Sequence, residues 1–144
     1  MAQYVETKPV RRIMGRLAHG SDLLNELTAV CVKEGVRLGR VEAIGAVQKA
    51  QVGFYDQMHK KYGYIEFDHP MEILKLTGNI SIKEGKPMVH AHVTLSDEQG
   101  RAFGGHLAEG TVVFASEFIL EILEGPELAR VHDEVTGLAL WKIP

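Results

Sequence analysis

The sequence predicts an α+β fold: a mainly antiparallel β-sheet, partly closed toward a barrel or sandwich, with one major helix near residues 21–35. Three observations carry this. Only residues 21–35 combine helix-period apolar spacing with cap residues at both ends. From Arg40 onward the pattern shifts to period two in β-branched and aromatic segments divided by turn residues. Residues 89–107 then form a hairpin pattern carrying three histidines.

The 144 residues suit one domain spanning the whole chain. A chain of this length buries roughly two-thirds of its unfolded surface, enough for a core without covalent staples. A net charge of −3 supplies no global attraction to nucleic acid or anionic lipid. A single cysteine excludes an internal disulfide and fits a reducing cytoplasm. No basic-then-apolar leader opens the sequence, and no apolar run approaches the ~20 residues of a membrane span.

Residues 8–18 read as a first strand made locally basic by Arg11, Arg12 and Arg16, and His19-Gly20 breaks it. Ser21 is a suitable N-cap and Asp22 suits the first helical turn. Leu23, Leu27, Val30 and Cys31 share a helical face with Leu24 at its edge, and Gly35 is placed to close the helix. Cys31 on that face reads as a small buried hydrophobe, since no neighbour would activate its thiol.

Arg40–Val47 reads as a strand in which Gly45 marks a bulge or a close backbone approach, and Gln51–Tyr55 as another. A polar connection at 56–61 leads to a short strand at Tyr64–Phe67, and Asp68-His69-Pro70 ends it. Met71–Ile82 is a long strand, and Lys83-Glu84-Gly85-Lys86 a tight turn. Thr111–Leu123 is ambiguous by periodicity; its β-branched and aromatic content favours a strand, with a break expected near Ala115-Ser116. Leu128–His132 reads as a short strand and Thr136–Trp141 as a turn and tail.

The hairpin holds the strongest chemical signal. His90 and His92 are two apart, so on a strand they share a face, roughly 6.5–7 Å apart along the chain. With the turn Ser96–Gly100 centred near Glu98, His106 falls opposite His90 and Gly104 opposite His92. Three imidazoles with an open fourth position are the arrangement of a catalytic-type zinc site. Glu109, three residues beyond His106, is a candidate carboxylate behind a ligand or a general acid/base; its competing role is a surface charge at a strand end. His69 and His59 read as loop residues, and His19 and His132 have no assigned role. Tyr55, Tyr62 and Tyr64 read as core or interface residues that could also line a pocket.

Several segments together resemble the PPC domain, the plants and prokaryotes conserved domain. They are Glu72–Ser81, His90–Asp97, Gly104-Gly105-His106-Leu107 with Glu109-Gly110, the helix start Ser21–Leu24, Ala43–Ala46 and Gly53-Phe54-Tyr55. The resemblance runs from about Arg11 to Leu138. It implies an α+β domain that assembles as a homotrimer and, in members carrying His-x-His with Gly-Gly-His, a bound divalent metal, expected to be zinc, on His90, His92 and His106. In plants the domain accompanies AT-hooks in nuclear DNA-binding proteins, which implies a DNA-binding or regulatory role. The AT-hook itself is missing: no Arg-Gly-Arg occurs, and Met14-Gly15-Arg16 and Leu38-Gly39-Arg40 lack the first arginine. Any DNA contact is therefore expected to be weak or indirect, through partners. The basic cluster Arg11, Arg12, Arg16, Lys33, Arg37 and Arg40 reads as a solvated face with ion pairs between subunits, the alternative being a contact for phosphate or an acidic partner. The alternative reading is a zinc-dependent enzyme acting on a small molecule at the three-histidine site.

Overall fold

The structure, a computed structural model, describes residues 1–144 as nine strands of one sheet and one helix. The strands are β1 Lys8–Leu17, β2 Gly39–Asp56, β3 Lys61–Phe67, β4 Met71–Lys83, β5 Lys86–Ser96, β6 Ala102–Leu107, β7 Val112–Glu124, β8 Ala129–His132 and β9 Ala139–Lys142; helix α1 is Leu23–Lys33. Their order is β1-β7-β2-β6-β5-β4-β8-β9, with β3 on β2 and a further pairing of β2 with β4. The path β2-β6-β5-β4 returns to β2, so part of the sheet is ringed. All pairings are antiparallel except a short parallel contact of β8 with β4. The mainly antiparallel α+β expectation is met.

The core lies where alternate residues point inward. Val89, Ala91, Val93 and Leu95 of β5 are buried, as are Leu76 and Ile80 of β4 and Val41, Val47 and Val52 of β2. Helix α1 lays Leu23, Leu27 and Cys31 on this core, the face read from its spacing. Burial pushes the Cys31 thiol up to about 11, so it is protonated and inert at neutral pH.

Local chemistry sets the element ends, and four expectations are corrected here. The N-cap is Asp22, not Ser21: the backbone of Asp22 is extended and its carboxylate accepts from the Asn25 N–H, while Ser21 donates back to the Ala18 carbonyl. Asp22 also accepts from the Gly110 N–H, which ties the helix start to the segment before β7. At the other end Gly35, at φ +65°, and Val36 return N–H bonds to Val32 and Cys31, a Schellman closure.

The segments 40–47 and 51–55 are one strand. Residues 48–50 stay extended because β2 changes partners there: Lys49 pairs with Val112 of β7 and Ala50 with Phe67 of β3. Gly45, at φ +142°, is the site of a close backbone approach to Ala115 and Ser116 of β7, and the extra residue of the nearby bulge lies on β4, where Leu74 and Lys75 oppose Ile44. Strand β7 runs unbroken past Ala115-Ser116; the irregularity is a register shift, Ala46 opposite Ala115 and Val47 opposite Val113, which leaves Phe114 bulged. Finally, the tail is a strand: β9 pairs with β8 along Ala129–His132, so the C-terminus is a hairpin docked beside β4.

Candidate metal centre

Inward placement of Val89, Ala91 and Val93 forces His90 and His92 onto the outer face of β5. The register across the hairpin differs from expectation. His92, not His90, lies opposite His106, and Gly104 lies opposite Thr94. The turn is Asp97–Arg101 rather than Ser96–Gly100, because the Asp97 carboxylate gathers the N–H groups of Gln99 and Arg101 while Gly100 takes φ +76°. Moving the turn by one residue moves the pairing by two. An even shift keeps the faces, so all three histidines still converge.

Their ring centroids are 5.3 Å (His90–His92), 5.0 Å (His90–His106) and 5.6 Å (His92–His106) apart. One ring nitrogen from each lies within 4.8 Å of the other two. Ring movements on the order of 1 Å would seat one ion at zinc–nitrogen distances of about 2.0–2.1 Å. Two observations fit the site to such an ion. The Nδ1 of His106 is buried without any hydrogen-bond partner, an arrangement that is unfavourable for a polar atom unless something binds it. The His90 and His106 imidazoles also favour the neutral form that metal ligation needs. Burial, then the Arg130 charge and the neighbouring rings, press His90 down to about 4. Burial and His92, then Arg130, lower His106 as well.

Two hairpins wall the cluster. On one side the Tyr62 ring of β3 lies 4.9 Å from that of His106, over Gly53, which pairs with His106 and has no side chain to intervene. Tyr55 and Tyr64 pack on Tyr62, so of the three tyrosines it is Tyr62 that meets the cluster. On the other side stands Arg130 of β8. It donates to Ser81 Oγ at 2.9 Å, Asn79 Oδ1 at 2.9 Å and the Ala139 carbonyl at 3.0 Å, and lies 3.3 Å from His90 Nδ1. Its guanidinium sits over Trp141, 5.6 Å from the ring centroid. The hairpins meet at their tips: the Tyr55 hydroxyl donates to the Thr136 carbonyl at 2.7 Å, and Lys60 Nζ to that of Glu134 at 2.8 Å.

Sequence reasoning missed Arg130, Asn79, Ser81 and Trp141. Arg130 is 40 residues from His90 in the chain, and only the docking of β8 on β4 joins them. Glu109 is exposed in the turn after β6 and makes no hydrogen bond or ion pair. The other histidines lie outside the cluster; His19 donates to the Phe114 carbonyl and His59 pairs with Asp56.

The sequence model of the Plants and Prokaryotes Conserved (PCC) domain matches residues 4–124. Among solved structures, a metal-containing protein from Archaeoglobus fulgidus is 38% identical, with a TM-score of 0.93 over 98% of this chain and 99% of its own. A plant- and prokaryote-conserved (PPC) protein from Pyrococcus horikoshii is 36% identical, with a TM-score of 0.91 over 95% and 94% of the two chains. One from Bacteroides thetaiotaomicron, named as a candidate DNA-binding protein, is 26% identical, with a TM-score of 0.86 over 96% and 97%. A curated relative, the bifunctional protein GlmU of Synechococcus sp. (strain JA-2-3B'a(2-13)), is 31% identical over 125 residues; the match covers 85% of this chain but only 18% of GlmU.

Proposed function

This chain belongs to the Plants and Prokaryotes Conserved domain family, and on that premise we propose that it is a zinc-binding regulatory module, active as a homotrimer, that joins DNA-associated assemblies in the cytoplasm through protein partners. The observation that carries this reading is the convergence of His90, His92 and His106 around the unpartnered Nδ1 of His106. The metal-containing relative from Archaeoglobus fulgidus supports it. In this reading the ion clamps β5 to β6 and holds that face of the sheet in one arrangement.

Weak direct affinity for DNA is supported by the charge layout. Arg11, Arg12, Arg37 and Arg40 are paired with Glu34, Glu121, Glu127 and Glu42, so of the six cations in the basic cluster of the first third only Arg16 and Lys33 are left to phosphate without a carboxylate partner. The trimer is supported by Met14, Ile44, Leu74 and Ile119, apolar residues exposed on the outer face along a groove of about 410 Å³. The zinc-enzyme alternative has no carboxylate beside the rings to serve as a base, so the regulatory reading is preferred.

Fluorescence anisotropy with a labelled duplex tests the DNA part. The expected result is no saturable binding tighter than about 10⁻⁴–10⁻⁶ M at physiological salt, the range of non-specific association. Nanomolar binding with a steep salt dependence would contradict it. Light scattering on the same sample should give about 48 kDa, three times the 16.0 kDa chain.

A further inference from the structure

The charge balance around the histidines is incomplete. Arg130 is half-buried, and the acceptors it meets are a hydroxyl, a side-chain amide, a backbone carbonyl and an imidazole. All are neutral. A guanidinium has five N–H donors; Ser81, Asn79 and the Ala139 carbonyl take three, and a metal-bound neutral His90 has no lone pair left to accept a fourth, so with the ion bound one N–H on Nη1 and one on Nη2 are free. No carboxylate is among the groups whose charge reaches His90, His106, Tyr62 or Arg130. Three neutral imidazoles around a divalent ion add no negative charge either. With the ion bound, the site carries a formal charge of +3, made of the ion and Arg130, and no fixed anion faces it. His92 is exposed and Arg130 and the other two rings are partly buried, so this gathered positive charge is open to an anion from solvent. Three protein ligands also leave a coordination position open.

We propose that the site takes a small oxyanion, a carboxylate or phosphate group, bound jointly by the open position of the metal and the Arg130 guanidinium. This rests on the metal reading above. The surroundings suit such a ligand. The Tyr62 ring packs against His106 and the Trp141 ring against Arg130, so the organic body of a carboxylate or phosphate ester would meet rings while its charged end meets the cations. Arg130 fits this role through its fork, which matches two oxygens of one group. Its strand is held by the tip contacts of Tyr55 and Lys60 on the turn at Glu134–Thr136, so the guanidinium is placed before any ligand arrives. Arg130 and Trp141 both lie beyond residues 4–124, the part matched by the family, so the C-terminal hairpin of this chain supplies the anion-binding side of the site.

The test uses the whole chain loaded with cobalt(II), whose visible absorption bands report the groups bound to the ion. Acetate and inorganic phosphate are titrated separately, so that the preferred oxyanion is told from the other. At least one should change the bands saturably. Arg130→Gln should raise the half-saturating concentration about tenfold or more, the loss expected for one charge-assisted hydrogen bond, with cobalt content unchanged. Arg130→Lys keeps the charge but loses the fork, and should weaken binding less but measurably; it carries the comparison if the glutamine variant does not fold. Bands that respond to neither anion, or a folded Arg130 variant binding as tightly as the wild type, overturn the proposal while leaving the metal site standing. Failure to take up cobalt overturns both.

Discussion

Replacing His90 and His92 together with alanine should remove the metal proposed for this site. Two of three ligands are lost, and His106 alone cannot hold the ion against buffer or chelator. In the wild type a metal present at about a thousand times its dissociation constant adds about 4 kcal/mol of stability. For a chain of this size that is roughly 8–16 °C in melting temperature. Chelation should therefore lower the wild-type melting point by about that much and leave the double variant unmoved, as measured by calorimetry with and without EDTA. A chelator response surviving in the double variant would place the metal elsewhere.

The metal-free chain carries a pH signature of the same residues. His90 in the folded chain sits near 4, against about 6.5 when unfolded. Between those values the unfolded state binds the extra proton, so stability of the metal-free wild type falls as pH drops from about 6.5 to 4. Above 6.5 both states are neutral at this position and its contribution is flat. In His90→Ala the fall across that window should be shallower, which urea titrations at a series of pH values would read.

The second large effect is expected at Gly45→Ala. Gly45 holds φ +142°, a region that side-chain-bearing residues avoid, and a Cβ built there would drive into the Ala115 carbonyl oxygen of β7. The obstacle is backbone, so relief requires opening the pairing of β2 with β7 where Gly45 faces Ser116, on the strand that pairs with both β7 and β4. The expected loss is about 3 kcal/mol or more, read as a lowered urea midpoint. Gly63→Ala is the control. Gly63 has nothing within 4 Å of its notional Cβ, and the change should stay within about 0.5 kcal/mol.

How much of this was legible in the sequence depended on the range of the interaction. The helix, the long strand at 71–83 and the Glu84-Gly85 turn follow from local spacing and cap or turn residues, and all were recovered. The histidine cluster was recovered because period two fixes the face of a strand whatever its pairing; the register itself was off by two, since it depends on how Asp97 folds the turn. Residues 48–50 looked like a break because their composition is unremarkable for a strand. Only partner exchange among β7, β3 and β6 keeps them extended, and such long-range pairing leaves no local mark. Arg130 lies in a four-residue strand whose position is set by β4 and β9, so nothing near it in the chain announced that it would reach His90.

The central claim is that His90, His92 and His106 hold one metal ion. X-ray absorption at the zinc edge on the zinc-loaded full chain tests it most directly. The account predicts one zinc per chain with three imidazole nitrogens at about 2.0–2.1 Å and a lighter, exchangeable oxygen donor completing the shell. A first shell of oxygens only, a sulfur at about 2.3 Å from Cys31, or less than a tenth of a zinc per chain after loading, would contradict it.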